Sequence, residues 1–167
     1  MALKNNDNIM RAAYAALVIV ITVMPLPSGA SELLDLPDGH QVDLGKKCPV
    51  CGMIVGGPEE QGVTLSYRKG RLVGFAGIAA TVFKDGTVVG FDGARCLFVY
   101  NSIPSKYGVD IADMKHQYVT DFVSKMMIEV EKAFLVLGSS VKGRMGYELI
   151  PFASNRKAWQ FASEYGG

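Results

Sequence analysis

Thr87-Val88-Val89-Gly90-Phe91-Asp92-Gly93-Ala94-Arg95-Cys96-Leu97-Phe98-Val99-Tyr100 reads as a strand that turns directly into a helix. Thr87 to Phe91 is rich in β-branched and aromatic residues. Asp92 is placed to cap a helix, which Leu97, Phe98, Tyr100 and Asn101 continue until Ile103-Pro104 stops it. The pattern returns near the end of the chain. Phe91, Arg95, Phe98 and Tyr100 match Phe152, Arg156, Trp159 and Phe161 at an offset of 61. There Ser154 is the expected cap, and Ala158, Trp159, Phe161, Ala162 and Tyr165 the apolar face. Gly166 is the stop.

Upstream, Val63 to Tyr67 alternates with period two and Leu72 to Phe75 returns after a Lys69-Gly70 turn. Ala79 to Phe83 and Thr87 to Phe91 repeat that plan around Asp85-Gly86. The nine residues from Lys69 align with the nine from Asp85 at an offset of 16, and five are identical. Turn chemistry accounts for the turn glycines but not for the shared Val-Gly-Phe-x-Gly. A local duplication that extends a sheet is therefore expected. Gln117 to Phe122, Met126 to Val130, Ala133 to Leu137 and Met145 to Ile150 are further strands, with Ser139 to Arg144 a turn or loop and Pro151 the end of the last strand. The expected class is α+β, as two small related strand-strand-helix-strand modules over 48–125 and 126–167. The duplicated hairpin should enlarge the first.

The N-terminus reads as an export signal over residues 1–30. Lys4 and Arg11 precede thirteen uncharged residues, Ala12 to Met24, and Ser28-Gly29-Ala30 offers small residues for cleavage. That run is short of the about 20 residues that span a bilayer, and an uncleaved anchor is the alternative. Ser31 stands where a lipoprotein would carry its acylated cysteine. Residues 31–47 read as a loose polar leader with a turn at Pro37-Asp38-Gly39.

The 167 residues carry 17 Lys and Arg against 16 Asp and Glu, a balance that argues against nucleic-acid binding. A hydrophobic fraction of 49% excludes wholesale disorder. Three cysteines exclude a disulfide-rich scaffold. No Ser-His-Asp set, paired carboxylate site or phosphate loop is visible, so a non-enzymatic role is expected.

The chemistry is concentrated in sulfur. In Cys48-Pro49-Val50-Cys51-Gly52-Met53 two thiols and a thioether can face one point. Three readings compete. A structural zinc site needs four ligands, and only His40 and His116 are apparent to complete it. A Cys48–Cys51 redox couple suits an oxidising compartment, but Gly52 and Gly56-Gly57-Pro58 do not continue into the helix that a thioredoxin-like site requires. A soft-metal site suits mixed thiolate and thioether donors, which select copper(I). The last gains from Gly143-Arg144-Met145-Gly146, where glycine neighbours allow a methionine to approach a site closely. Met114, Met126, Met127 and Cys96 read as core residues, and His116 as a satisfied or surface histidine.

Several motifs form one ordered series: Cys51-Gly52-Met53, Phe91-Asp92-Gly93-Ala94-Arg95-x-Leu97-Phe98 and Tyr118-Val119-x-Asp121. Lys132-Ala133-Phe134-x-Val136-x-Gly138-Ser139 and Met145-Gly146-x-Glu148-Leu149-x-Pro151-Phe152 complete it. The series resembles the NosL family of nitrous oxide reductase accessory proteins, from Cys48 to Gly167. The resemblance implies an exported copper(I)-binding protein, periplasmic or on the outer membrane face, with Cys51, Met53 and Met145 as ligands. Cys48 would be a ligand, a disulfide partner or neither. The implied partner is a client cuproenzyme such as nitrous oxide reductase, or a copper transporter, with membrane association only through an uncleaved N-terminal segment. Three departures bear on the client more than on the metal: the missing lipid-bearing cysteine, Phe122 where the family often has methionine, and the additional hairpin, which follows the Cys motif and could cover it.

Overall fold

The computed structural model describes residues 32–57 and 62–167. The expected export signal lies outside them. Among the described residues, ten strands and two α-helices make a mixed α+β fold. Strand β1 (Leu33–Asp35) and β2 (Gln41–Asp43) form a small hairpin. Next come β3 (Thr64–Arg68), β4 (Arg71–Ala76), β5 (Ala79–Phe83) and β6 (Val88–Phe91). Helix α1 (Ala94–Ser102) precedes β7 (Met114–Thr120), β8 (Met127–Glu129), β9 (Phe134–Gly143) and β10 (Gly146–Phe152), and α2 (Asn155–Tyr165) closes the chain. Among the described residues no helix is long and apolar enough to cross a membrane.

The strands form two four-stranded sheets, ordered β6-β5-β7-β8 and β10-β9-β4-β3. Each has its own core. Val82, Phe91, Leu97, Tyr100 and Val119 fill the first; Phe75, Val141, Ile150, Phe152 and Phe161 fill the second. The offset of 61 is a structural repeat. Each helix begins three residues after the aromatic that ends its strand, at Ala94 and at Asn155. Phe91 meets Tyr100 with ring centroids 5.0 Å apart, and Phe152 meets Phe161 at 5.2 Å. Such pairs stabilise by about 0.5–1.5 kcal/mol beyond the area they bury.

The related hairpins occupy different sheets, contrary to the expectation that one extends the sheet of the other. The β3–β4 hairpin supplies the outer half of the second sheet, where β4 runs parallel to β9 with Gly74 opposite Lys142. Its turn is a tight two-residue loop in which Lys69 and Gly70 both have positive φ, matching the right-handed twist of the strands. Conversely, β8 pairs with β7 in the first sheet. The sheets thus cut across the sequential division expected at residue 125.

Residues 32–47 are not a loose leader. The turn at Pro37 to Gly39 folds β2 back onto β1, and Leu36, Val42 and Leu44 are buried in the first core. Gly90 permits this packing, since a Cβ there would stand 2.6 Å from Val42 Cγ2 and 3.1 Å from Val55 Cγ1.

The expected loop at Ser139 to Arg144 is mostly strand. Leu137 pairs with Leu149 and Lys142 with Tyr147, so residues 138–141 stand against Glu148 alone. This bulge buries Val141 and turns the Glu148 carboxylate inward. Pro151 does not end β10, which continues to Phe152, because β10 is an edge strand where a missing N–H costs no ladder bond. Trp159 is 72% exposed and Met126 67% exposed, so neither is a core residue. Ser154 occupies the N-cap of α2 without a side-chain capping bond.

Candidate metal centre

The Cys48–Met53 segment closes on itself through backbone bonds. The Cys48 amide donates to the Met53 carbonyl at 2.7 Å and the Gly52 amide to the Cys48 carbonyl at 2.9 Å. Gly52 has φ +78°, a left-handed conformation that glycine adopts without strain. The flanks are tied by a bridge between Lys47 and Ile54 and by the Val55 amide donating to Lys46.

This knuckle faces the start of α1. The sulfurs of Cys48, Cys51 and Cys96 and a carboxylate oxygen of Asp92 all lie within 4.8 Å of one another. Cys48, Cys96 and Asp92 are buried, whereas Cys51 is partly exposed. All three cysteines are free thiols. The zinc reading looked to histidines for its further donors; the structure supplies Cys96 and Asp92 instead. His40 hydrogen-bonds Asp38, and His116 stacks beside Tyr118.

Asp92 does not cap α1, as its position in sequence suggested. The N-cap residue is Gly93, and the Arg95 amide donates to Glu148 Oε1 at 2.7 Å. Glu148 fits because Gly93 and Gly143 have no side chain; a Cβ on either would stand 2.8 Å or 2.3 Å from Glu148 Oε2. With the helix end served from β10, both Asp92 oxygens are buried with no nitrogen or oxygen donor on them. A buried carboxylate so placed is costly, and the thiols of Cys51 and Cys96 are the groups that approach it.

The thiols differ in acidity. A side-chain hydrogen bond from Cys96 draws Cys48 down to about 6 against the effect of burial, with amides of Asp92, Cys51 and Val50 assisting. Burial pushes Cys51 up to about 11, with Asp92 and Cys48 adding to the shift and the Met53 amide opposing it. Cys96 is also raised, first by its bond to Cys48 and then by burial. Cys48 is thus the most acidic of the three thiols. The donor set suits a soft or borderline metal ion.

Two arginines bring the Met145 turn to this centre. Arg144 Nη1 donates to the Ile54 and Val55 carbonyls at 3.2 and 3.1 Å, and Nη2 to Gly56 at 3.1 Å. Arg95, the neighbour of Cys96, donates to the carbonyls of Met145 at 2.7 Å and Tyr147 at 3.3 Å. Met145 stands at the turn and is 47% exposed, while Met53 is half-buried at the knuckle. The two segments expected to share a ligand are therefore neighbours, although about ninety residues separate them in sequence. The sequence reading missed Asp92 and Cys96 as site residues. Asp92 lies before the N-cap Gly93 and Cys96 in the first turn of α1, so helical spacing gave no signal that the two belong to one site.

An α+β frame with a buried thiol–carboxylate cluster under a methionine turn defines the class of protein. The chain belongs to the NosL family, whose model matches residues 39–167. Among solved structures, the crystal structure of the copper chaperone NosL from Shewanella denitrificans is similar in fold. The identity is 23% and the TM-score 0.56, over 85% of this chain and 91% of that chain. A search of curated proteins finds no match.

Proposed function

We propose that this chain is an exported copper(I) carrier, acting in the periplasm or on the outer face of the membrane. It takes copper from a transporter or supplies it to a cuproenzyme, with nitrous oxide reductase as the proposed client. The observation that carries the reading is the junction just described: Arg144 holds the Met145 turn against the loop that follows Met53. Cys51 is the partly exposed sulfur of the cluster, and Met53 and Met145 are the thioethers carried by the two joined segments. These three are the proposed ligands, with Cys48 as a further thiolate donor. A low-coordinate, all-sulfur site suits copper(I). Release needs only exchange with sulfur or imidazole donors of the client, so no bond in a substrate is broken and the protein acts without catalysis.

Copper(I) competition against a chromophoric chelator tests the reading. One copper per chain is expected, bound roughly tenfold more weakly in Met145→Ala, a loss of about 1.4 kcal/mol. Failure of the parent chain to compete would refute it.

A further inference from the structure

The Cys48–Cys51–Cys96–Asp92 group contains more than a copper(I) carrier needs. Its fourth donor is a carboxylate oxygen, a hard ligand for which copper(I) has little affinity. Both oxygens of Asp92 are buried with no nitrogen or oxygen donor on them, only the thiols of Cys51 and Cys96 beside them, and the residue is 3% exposed. Cys48 and Cys96 are 1% and 4% exposed. Three thiolates and a carboxylate carry four negative charges when ionised. A monovalent ion offsets one of them and a divalent ion two. Tetrahedral zinc with Zn–S bonds of about 2.3 Å holds its sulfurs about 3.8 Å apart, inside the 4.8 Å limit shared by the four donors.

We propose that Cys48, Cys51, Cys96 and Asp92 form a closed, four-donor site for a zinc-class divalent cation. The knuckle supplies two ligands, and the start of α1 supplies two at a spacing of four residues. With four protein donors and three of them buried, the site leaves no position open for substrate, which is the arrangement of a structural or holding site. Cys51 and Cys48 are common to this set and to the copper(I) donors, so the two metals occupy the protein in alternation. That alternation rests on the copper(I) reading; the four-donor site does not.

Cobalt(II), a spectroscopic stand-in for zinc, tests this on the full chain in reduced form. One cobalt per chain is expected, with tetrahedral ligand-field bands and the sulfur-to-cobalt charge transfer of three thiolates, all abolished by added zinc. In Cys96→Ser the charge-transfer intensity should fall by about a third, one thiolate of three. Asp92→Asn keeps the size of the side chain and should weaken cobalt binding at least about tenfold while keeping the charge transfer. No cobalt binding by the parent, a spectrum without charge transfer, or unchanged binding in Asp92→Asn would overturn the site. If Cys96→Ser loses its fold by circular dichroism, Asp92→Asn decides. Copper(I) that binds the zinc-loaded chain without releasing zinc would overturn the alternation alone. Copper(I) competition by the metal-free chain tests the carrier reading separately.

Discussion

Glu148 on β10 accepts the backbone amide of Arg95, the second residue of α1, at 2.7 Å. The same oxygen accepts the Leu149 amide at 3.1 Å. One carboxylate from the second sheet thereby terminates the helix of the first, and Asp92 is released from that task. Glu148→Ala should cost about 1–3 kcal/mol, the penalty for a buried amide left unmet. Glu148→Gln should retain most of the stability, since an amide oxygen accepts the same bonds. Denaturant unfolding of the two variants checks the difference.

Arg144 joins the knuckle loop to the Met145 turn through three carbonyls. Arg144→Ala should raise amide exchange around Val55 and weaken copper(I) binding about tenfold, as loss of an orienting neighbour does. Arg144→Lys should rescue little, because an ammonium cannot reproduce the planar fork. Hydrogen exchange and chelator competition provide the two readouts.

Cys48 has its folded-state value lowered from 9.0 to about 6. A depressed value contributes stability that is fully present above pH 9 and is lost as pH falls toward 6. Cys51, raised to about 11, acts in the opposite direction and withdraws stability between pH 9 and 11. The metal-free reduced protein should show a thiolate absorbance step near pH 6, absent in Cys48→Ser.

Asp121 follows β7 and ties it to the other sheet. Its Oδ1 accepts the Ala153 amide at 2.8 Å, and its Oδ2 accepts both the amide and hydroxyl of Ser124. Beside it Phe122 packs against Phe75, Phe152 and Phe161. Asp121→Ala should cost about 3 kcal/mol, roughly 6–12 °C in Tm, measured by thermal melting. Metal binding by the folded fraction should be unchanged.

Local chemistry was legible in the sequence. The strand-to-helix units ending at Phe91 and Phe152, the Lys69-Gly70 turn and the Cys48–Met53 knuckle are each specified by neighbouring residues. Pairing between distant segments was not. Nothing near β4 indicates that its free side meets β9 rather than β5. Asp92 carries the residue type and position of a helix cap, and only Glu148, over fifty residues away, displaces it from that role. The same blindness hid Cys96, which reads as a core thiol and is buried as one; its proximity to Cys48 depends on the knuckle docking onto β6. The leader was misread because three apolar residues, Leu36, Val42 and Leu44, are too few to signal a hairpin without the face that receives them.

The parallel pairing of β4 with β9 joins Gly74 to Lys142, 68 residues later. A chain growing from its N-terminus therefore completes its first sheet, through β8, while one side of β4 is still bare. The second sheet closes only when the last quarter of the polypeptide arrives, with Glu148 and the Met145 turn in the same hairpin. Premature termination near residue 125 would leave an open strand edge, available to other unfinished chains, and a helix without its cap. The proposed copper(I) set, which includes Met145, is in this way completed only with the last hairpin, whereas the donors at Cys48, Cys51, Asp92 and Cys96 are all in place much earlier in the chain.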